Sequence, residues 1–225
     1  MSAAAPLVLE VQDVRHSADS CRWYSPECIV EPGRELLGGF DLDPASDAAA
    51  NVAIRADHIF TIDDDGLAQT WTGRVLHNPP TPPRLWWEKL CREHASGNVP
   101  AAIYIAYSFE QLQQSQGWAA ETGLPHMLDF AVCIPRGRIR FRRTAADAID
   151  AWHRSADRAT ERAKRNGGTW QPTRAQRREL EALKILSPMQ LVPGDMPTHA
   201  SCIVGLGVDR AAFAKAYGSL GWCSP

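Results

Sequence analysis

No apolar run in this 225-residue chain approaches the roughly 18 residues that a helix needs to cross a bilayer, so a helical membrane protein is excluded. The opening stretch MSAAAPLVLEVQDVRH has no basic segment followed by an apolar one, so no export signal is expected and the chain reads as cytoplasmic. Six cysteines (Cys21, Cys28, Cys91, Cys133, Cys202 and Cys223) are widely scattered and no pair has CxxC spacing, which argues for reduced, mostly buried thiols. Cys91 with His94 falls two ligands short of a zinc site, and the acidic run Asp63-Asp64-Asp65 lacks the spread ligands and closing glutamate of a calcium loop. No metal is expected. There is no internal repeat and no low-complexity tract, which removes solenoids and propellers.

What is present suits one α/β domain with residues to spare for an insertion, at an ordinary apolar fraction of 44%. The net charge of −2 hides an uneven distribution: residues 136–184 hold 14 Lys or Arg against 6 Asp or Glu, and the rest of the chain is correspondingly acidic. Such a segment either lies along phosphates, releasing counterions, or is a solvated helical surface with compensating pairs.

The organising stretch is WTGRVLHNPPTPPRLWW, residues 71–87. Gly73 and Val75-Leu76 read as a buried strand that must stop at Asn78, because the following prolines cannot donate to a sheet ladder. At the carboxyl end of such a strand, Asn78 would face the crevice where open α/β sheets bind ligands, offering both an acceptor and donors. Before it, Pro26 suits the first turn of a helix with Ser25 as its N-cap, running to Gly38-Gly39 with Pro32 inside it. Residues 40–44, FDLDP, read as a strand with Asp41 and Asp43 towards its end. There a carboxylate can accept from a nucleoside's hydroxyl or amino groups, although one of the two acids would serve equally well as a salt-bridged or capping residue. Ala45 and Ser46 are small enough for close backbone approach, and Ser46 or Asp47 would cap the next helix and point its amides at a carboxylate.

Downstream, residues 101–107 (AAIYIAY) have the composition of a fully buried parallel strand, and a glutamine-rich helix follows from Phe109 to Gln116. Adjacent residues on a helix point about 100° apart. Trp86 and Trp87 therefore cannot both face the core, and one is either a wall of a pocket or simple packing. Thr144 is expected to cap a helix to Arg165, ended by Asn166-Gly167-Gly168, and Thr173 a second one over residues 175–186.

Taken in order, these features resemble one family. The aromatic-x-Ser-Pro entry (Trp23, Ser25, Pro26), the strand ending in DLDPAS, the acidic DDGL, Trp71, GRVLHNPP, the following AAIYIAY strand, CIPRGRIRF and the closing THASCIVGLGVDRAAFAKAYGSLGW are similar to the small DNA adenine methyltransferases of phages and prophages. The resemblance covers most of the chain. It implies a Rossmann-like S-adenosylmethionine-dependent methyltransferase fold with a mostly parallel sheet. Residues 21–141 and 196–225 would form the core around a basic helical insertion, 142–195, after an amino-terminal extension, 1–20.

It further implies that Asn78 and the carbonyl of Pro79 orient an exocyclic amine, adenine N6 or alternatively cytosine N4, while Pro80 shapes the pocket and rigid prolines fix the acceptors. Thr81 stands where the family has an aromatic ring. Trp23, Ser25, Pro26, Asp41, Asp43, Pro44, Ala45 and Ser46 would hold S-adenosylmethionine, DPAS standing where many methyltransferases carry a glycine-rich FxGxG loop. DNA would lie against Arg154, Arg158, Arg162, Lys164 and Arg165 on one helix and Arg174, Arg177 and Arg178 on the other, setting affinity and register. A free nucleotide or RNA acceptor, and an inactive DNA-binding descendant, are the other readings.

Overall fold

The computed structural model describes residues 23–194 and 199–225, so the amino-terminal extension and Cys21 lie outside the described residues. Helix α1 spans Glu27–Leu37 and ends where Gly38 turns left-handed at φ 74°, its N–H donating to the Arg34 carbonyl. Its N-cap is Pro26 rather than Ser25, and the helix runs continuously through Pro32. Pro26 has extended backbone and offers no side-chain acceptor, while the Ser25 hydroxyl is buried and makes no cap bond.

Strand β1 is only Leu42–Asp43, shorter than the expected 40–44. Helix α2 (Ala48–Ile54) follows, capped by Asp47, whose side chain accepts from the Ala50 amide, and leads to β2 (His58–Ile59). Next come β3 (Val75–His77), ending at Asn78 as the prolines require, α3 (Pro83–Ala95) and β4 (Ala102–Ala106), every residue of which is buried. The glutamine-rich helix α4 runs on to Thr122 (Phe109–Thr122) before β5 (Ala131–Pro135), where the late strand stops instead of reaching Phe141.

The basic segment forms a separate projection. Strand β6 (Arg142–Thr144) leads into α5 (Ala145–Arg165), and α6 (Arg174–Lys184) returns the chain to β7 (Leu191–Pro193), which pairs antiparallel with β6. Both expected caps are present: Thr144 accepts from the Asp147 amide, and Thr173 forms a reciprocal capping box with Gln176. The chain then re-enters the main sheet as β8 (Cys202–Leu206), α7 (Arg210–Tyr217) and β9 (Gly221–Cys223).

The main sheet has seven strands in the order β2-β1-β3-β4-β8-β5-β9. Pairs β1–β2, β1–β3 and β3–β4 are parallel, while β8 lies antiparallel to both β4 and β5, and β9 antiparallel to β5. Five strands therefore share one direction, and the protein is an α/β fold with a mostly parallel sheet. Alternation along the strands divides the core. Leu76, Ile103, Ile105 and Ile203 face α1, α2 and α7 through Ile29, Val30, Ile54 and Phe213. Leu42, Val75, Tyr104 and Val204 face α3 and α4 through Trp87, Leu90 and Leu112. Each fully buried aliphatic side chain contributes roughly 1.5–3 kcal/mol, so the double coverage of β4 anchors the domain.

One ion pair closes the amino edge of the sheet. Arg74 donates through Nε and Nη2 to the two oxygens of Asp41 (2.8 and 2.6 Å) and through Nη1 to the Leu37 and Gly38 carbonyls at the end of α1. Its own amide donates to Asp41 at 2.6 Å, and this pairing pulls the Asp41 carboxyl down to about 2. Gly73 holds φ 81° against the same carboxylate, where an added Cβ would stand 2.6 Å from it. Arg74→Met should lower unfolding free energy, because it strands Asp41 and two helix-end carbonyls together. Gly73→Ala should cost at least as much, and urea midpoints of both variants against wild type check this.

Candidate active site

Sheet order creates the crevice. From β1 the chain steps outward through α2 to β2, then returns past β1 to form β3 on its other side and continues to β4. The connections that leave β1 and β3 therefore diverge, and at such a switch point a gap opens beyond the strand ends. Asp43-Pro44-Ala45-Ser46 enters it from β1 and Asn78-Pro79-Pro80-Thr81 from β3. Because Leu42 pairs with Val75, Ala45 comes level with Asn78, while Asp41 comes level with Arg74 at the opposite edge, about 13 Å away at 3.3 Å per residue.

Asp41 is accordingly the salt-bridged acid of the pair and not a crevice residue. Asp43 is the crevice acid. It is 3% exposed, accepts from the Ala45 amide at 3.3 Å, and has no ion pair among the described residues. Burial pushes its carboxyl up to about 6, opposed by the Ser46 hydroxyl and the Ala45 amide. The Ser46 amide is itself occupied, donating to the Phe60 carbonyl at 2.8 Å.

The proline corner is graded in exposure: Pro79 is buried, Asn78 half-buried, and Pro80 and Thr81 are exposed. Asn78 donates through Nδ2 to the Trp23 carbonyl at 2.7 Å, and among the described residues its Oδ1 has no partner. That bond fixes which end of the carboxamide faces outward. The segment 23–26 is thereby drawn across the crevice. Tyr24 forms an isolated antiparallel bridge to Arg142 at the base of the projection, and its phenol donates to Asp47 at 2.9 Å. The Trp23 ring packs edge-on to Phe141 with the Arg143 guanidinium 5.8 Å above it.

Trp23 thus meets Asn78 at the carboxyl ends of β1 and β3, where Asp43, Pro44, Ala45 and Ser46 also lie, whereas Asp41 sits at the opposite end and Pro26 lines a separate hollow with Glu27, Cys28, Arg140, Phe141, Arg142 and Pro193. Tyr24 and Asp47 complete the group. Tyr24 occupies the unspecified position of the aromatic-x-Ser-Pro entry, and nothing in its spacing reveals that its hydroxyl reaches the cap of α2. His77 is likewise unannounced by the sequence. It is fully buried between Trp71, Trp86 and Tyr104 at ring distances of 5.2, 5.1 and 5.7 Å, and among the described residues neither ring nitrogen has a partner. Burial pushes its imidazole down to about 3, so it stays neutral directly behind Asn78.

The two tryptophans of α3 divide their work. Trp87 is 1% exposed in the core, and its indole donates to the Pro125 carbonyl. Trp86 stacks on Trp71 and touches the Gly66 position, where an added Cβ would collide with the Pro44 carbonyl. Both rings are engaged in packing, Trp86 bracing the loop that covers Pro44. Asp64 closes a turn by accepting from the Thr61 amide and hydroxyl, and among the described residues no group of three His, Cys, Asp or Glu side chains could hold a metal.

Every basic residue named on α5 and α6 is exposed. Arg154, Arg158, Arg162 and Arg165 recur at spacings of three and four, forming one stripe along α5. Lys164 pairs with Glu161, and Arg177 is steadied by the Pro172 carbonyl, while Arg174, Arg177, Arg178 and Glu181 line a shallow depression on α6. Since β5 points towards the crevice edge and β8 starts from it, the projection leaves and rejoins the sheet at the same edge as Asn78.

Comparison of the chain with protein-family models, with curated proteins and with solved structures finds no match in any of the three. The family resemblance therefore rests on the quoted motifs and their order. Among the described residues, no helix is long and apolar enough to cross a membrane.

The state of Asp43 is open to measurement. Its folded pKa lies above the unfolded value of 3.8, so between about pH 4 and 6 the native state binds the extra proton and stability falls as pH rises. Above about 6 the full cost is present, up to about 3 kcal/mol for a shift of roughly two pH units. Asp43→Asn should be more stable than wild type at pH 8 and lose the dependence across that window. Urea midpoints at pH 4, 6 and 8 would reveal it; parallel curves for the two proteins would mean that Asp43 titrates like a surface acid.

Proposed function

We propose that this protein is a DNA amino-methyltransferase that transfers a methyl group from S-adenosylmethionine to N6 of adenine. The observation that carries the reading is the fixed Asn78 carboxamide: with Nδ2 held by the Trp23 carbonyl, Oδ1 is left to accept at the crevice mouth, level with the DPAS loop. An exocyclic amine conjugated to a ring is a poor nucleophile. A rigid acceptor at Oδ1, with the Pro79 carbonyl as the second, draws its hydrogens and aims its lone pair without reorganisation at the moment of reaction. The neutral, aromatic-clamped His77 stiffens the strand end from which Asn78 projects.

The cofactor suits the residues present. Asp43 is a buried carboxyl without a cation, a group completed by a ligand's hydroxyl or ammonium donors, and Ala45 leaves the loop open to close approach. Asp43, Ala45 and Ser46, with Trp23 opposite, are the residues that would hold it. When bound, S-adenosylmethionine would supply an electrophilic methyl group on a sulfonium. Cytosine N4 presents the same amine chemistry and is the nearest alternative acceptor. DNA as partner is supported by the exposed arginine stripe on a projection that starts from the crevice edge, since phosphate contacts there would set orientation on the duplex. Exposed Thr81, which cannot stack on a base, favours a second reading: a fold that binds cofactor and DNA without transferring a methyl group.

Asn78→Ala should reduce labelled-methyl incorporation into unmodified DNA by about 10²–10³-fold while calorimetry returns an unchanged S-adenosylmethionine affinity. Undiminished incorporation would remove Asn78 from the chemistry, and cofactor binding with no incorporation by wild type on any DNA would favour the second reading. Reversing charge at Arg158, Arg162 and Arg177 should weaken duplex binding uniformly across sequences, lowering the log–log salt slope by about one for each phosphate no longer neutralised. Unchanged binding isotherms would leave the projection as a solvated surface.

A further inference from the structure

An extruded base needs a flat surface, and neither Thr81 nor the packed tryptophans of α3 provide a free one. Strand β4 lies next to β3 with His77 opposite Tyr104, so the residues just beyond its carboxyl end come level with Pro80 and Thr81 on the neighbouring strand. Two aromatic rings stand there in the open. Tyr107 is 38% and Phe109 54% exposed, on either side of the N-cap Ser108. Large apolar side chains left in water at a strand end, in a domain whose other crevice aromatics are packed, call for a partner.

The polar groups of the same turn are also incomplete. Ser108 is 1% and Gln111 0% exposed, and among the described residues the Ser108 hydroxyl and both ends of the Gln111 carboxamide lack a hydrogen-bond partner. Gln111 occupies the third position of α4, where a glutamine can close a capping box, yet α4 has no side-chain cap bond. On the far side, His199 lies 6.3 Å from the Tyr107 ring and 3.6 Å from Glu110, which places the turn beside the chain returning from the basic projection.

We propose that Tyr107 and Phe109 form the stacking wall for a nucleobase, replacing the ring absent at position 81. The inference rests on the reading of the Asn78 corner as the base site, and it assigns a single-stranded or extruded purine as the occupant. Base–aromatic stacking is indifferent to backbone charge, whereas the arginine stripe answers to phosphate. The two contributions therefore separate by salt dependence.

The test uses the full chain without cofactor and a fluorescein-labelled oligo(dA) single strand, with Tyr107→Ala, Phe109→Ala, the double variant, Phe109→Trp and Phe109→Leu. Both side chains are exposed, so unchanged thermal melts are expected. Anisotropy should show at least about tenfold weaker binding for the double variant with the salt slope unaltered, near wild-type binding for Phe109→Trp, and no restoration by Phe109→Leu. Wild-type affinity in the double variant, or equal binding by Phe109→Leu and Phe109→Trp, would overturn the proposal. Ring-dependent oligo(dA) binding by a wild-type protein that transfers no methyl group would sustain the stacking wall while removing the methyltransferase reading.

Discussion

The parallel pairing of two very short strands, Leu42–Asp43 against Val75–His77, is the constraint on which the rest of the molecule depends. So few ladder bonds would not hold such a pair in isolation. It persists because Arg74 clamps Asp41 and the end of α1 at one edge, while Leu42, Val75 and Leu76 are sealed into core on both faces. The chain spends its ion-pair chemistry at the amino edge and leaves the carboxyl edge, with Asp43 and Asn78, short of partners. A slip of one residue would turn Asp43 to the opposite face and break both halves of that arrangement at once.

Charge is distributed by the same logic. Asp41 is held ionised by Arg74, whereas Asp43, two residues on, is held towards its neutral form by burial with the Asp47 charge adding to it, and His77 is kept neutral among aromatic rings. Two identical side chains two residues apart thus shift in opposite directions, Asp41 down through its hydrogen bonds to Arg74 and Asp43 up through burial. The proposed chemistry draws on the unpaired one. A carboxyl that has given up water without gaining a cation is the kind of group that a polar ligand completes.

Much of this was legible in the residues. Prolines 79 and 80 dictated where β3 must stop, the unbroken apolar run 102–106 announced a strand covered on both faces, and Thr144 and Thr173 marked two helix starts through local bonds that need no tertiary context. What was not legible depended on distant partners. The separation of Asp41 from Asp43 required Arg74, more than thirty residues away, and the displacement of the cap from Ser25 to Pro26 depended on how segment 23–26 is drawn across to Asn78 and Arg142. Strands β2, β6, β7 and β9 are two or three residues long, too short for any alternation to register. Tyr24 and His77 took on meaning only once the chain had folded back on itself.

The basic projection enters through β6 and leaves through β7, and those strands lie side by side. Their separation is one interstrand spacing, under about 5 Å. A module with its two ends so close can grow, shrink or be exchanged with little effect on the sheet, because the entropy of closing it rises only slowly with its length. Its helices add only Ala145 and Leu180 to the buried set, so the core asks little of its sequence. The molecule is therefore built in two parts that can diversify at different rates: a chassis fixed by register, and an arm whose choice of partner is free to drift.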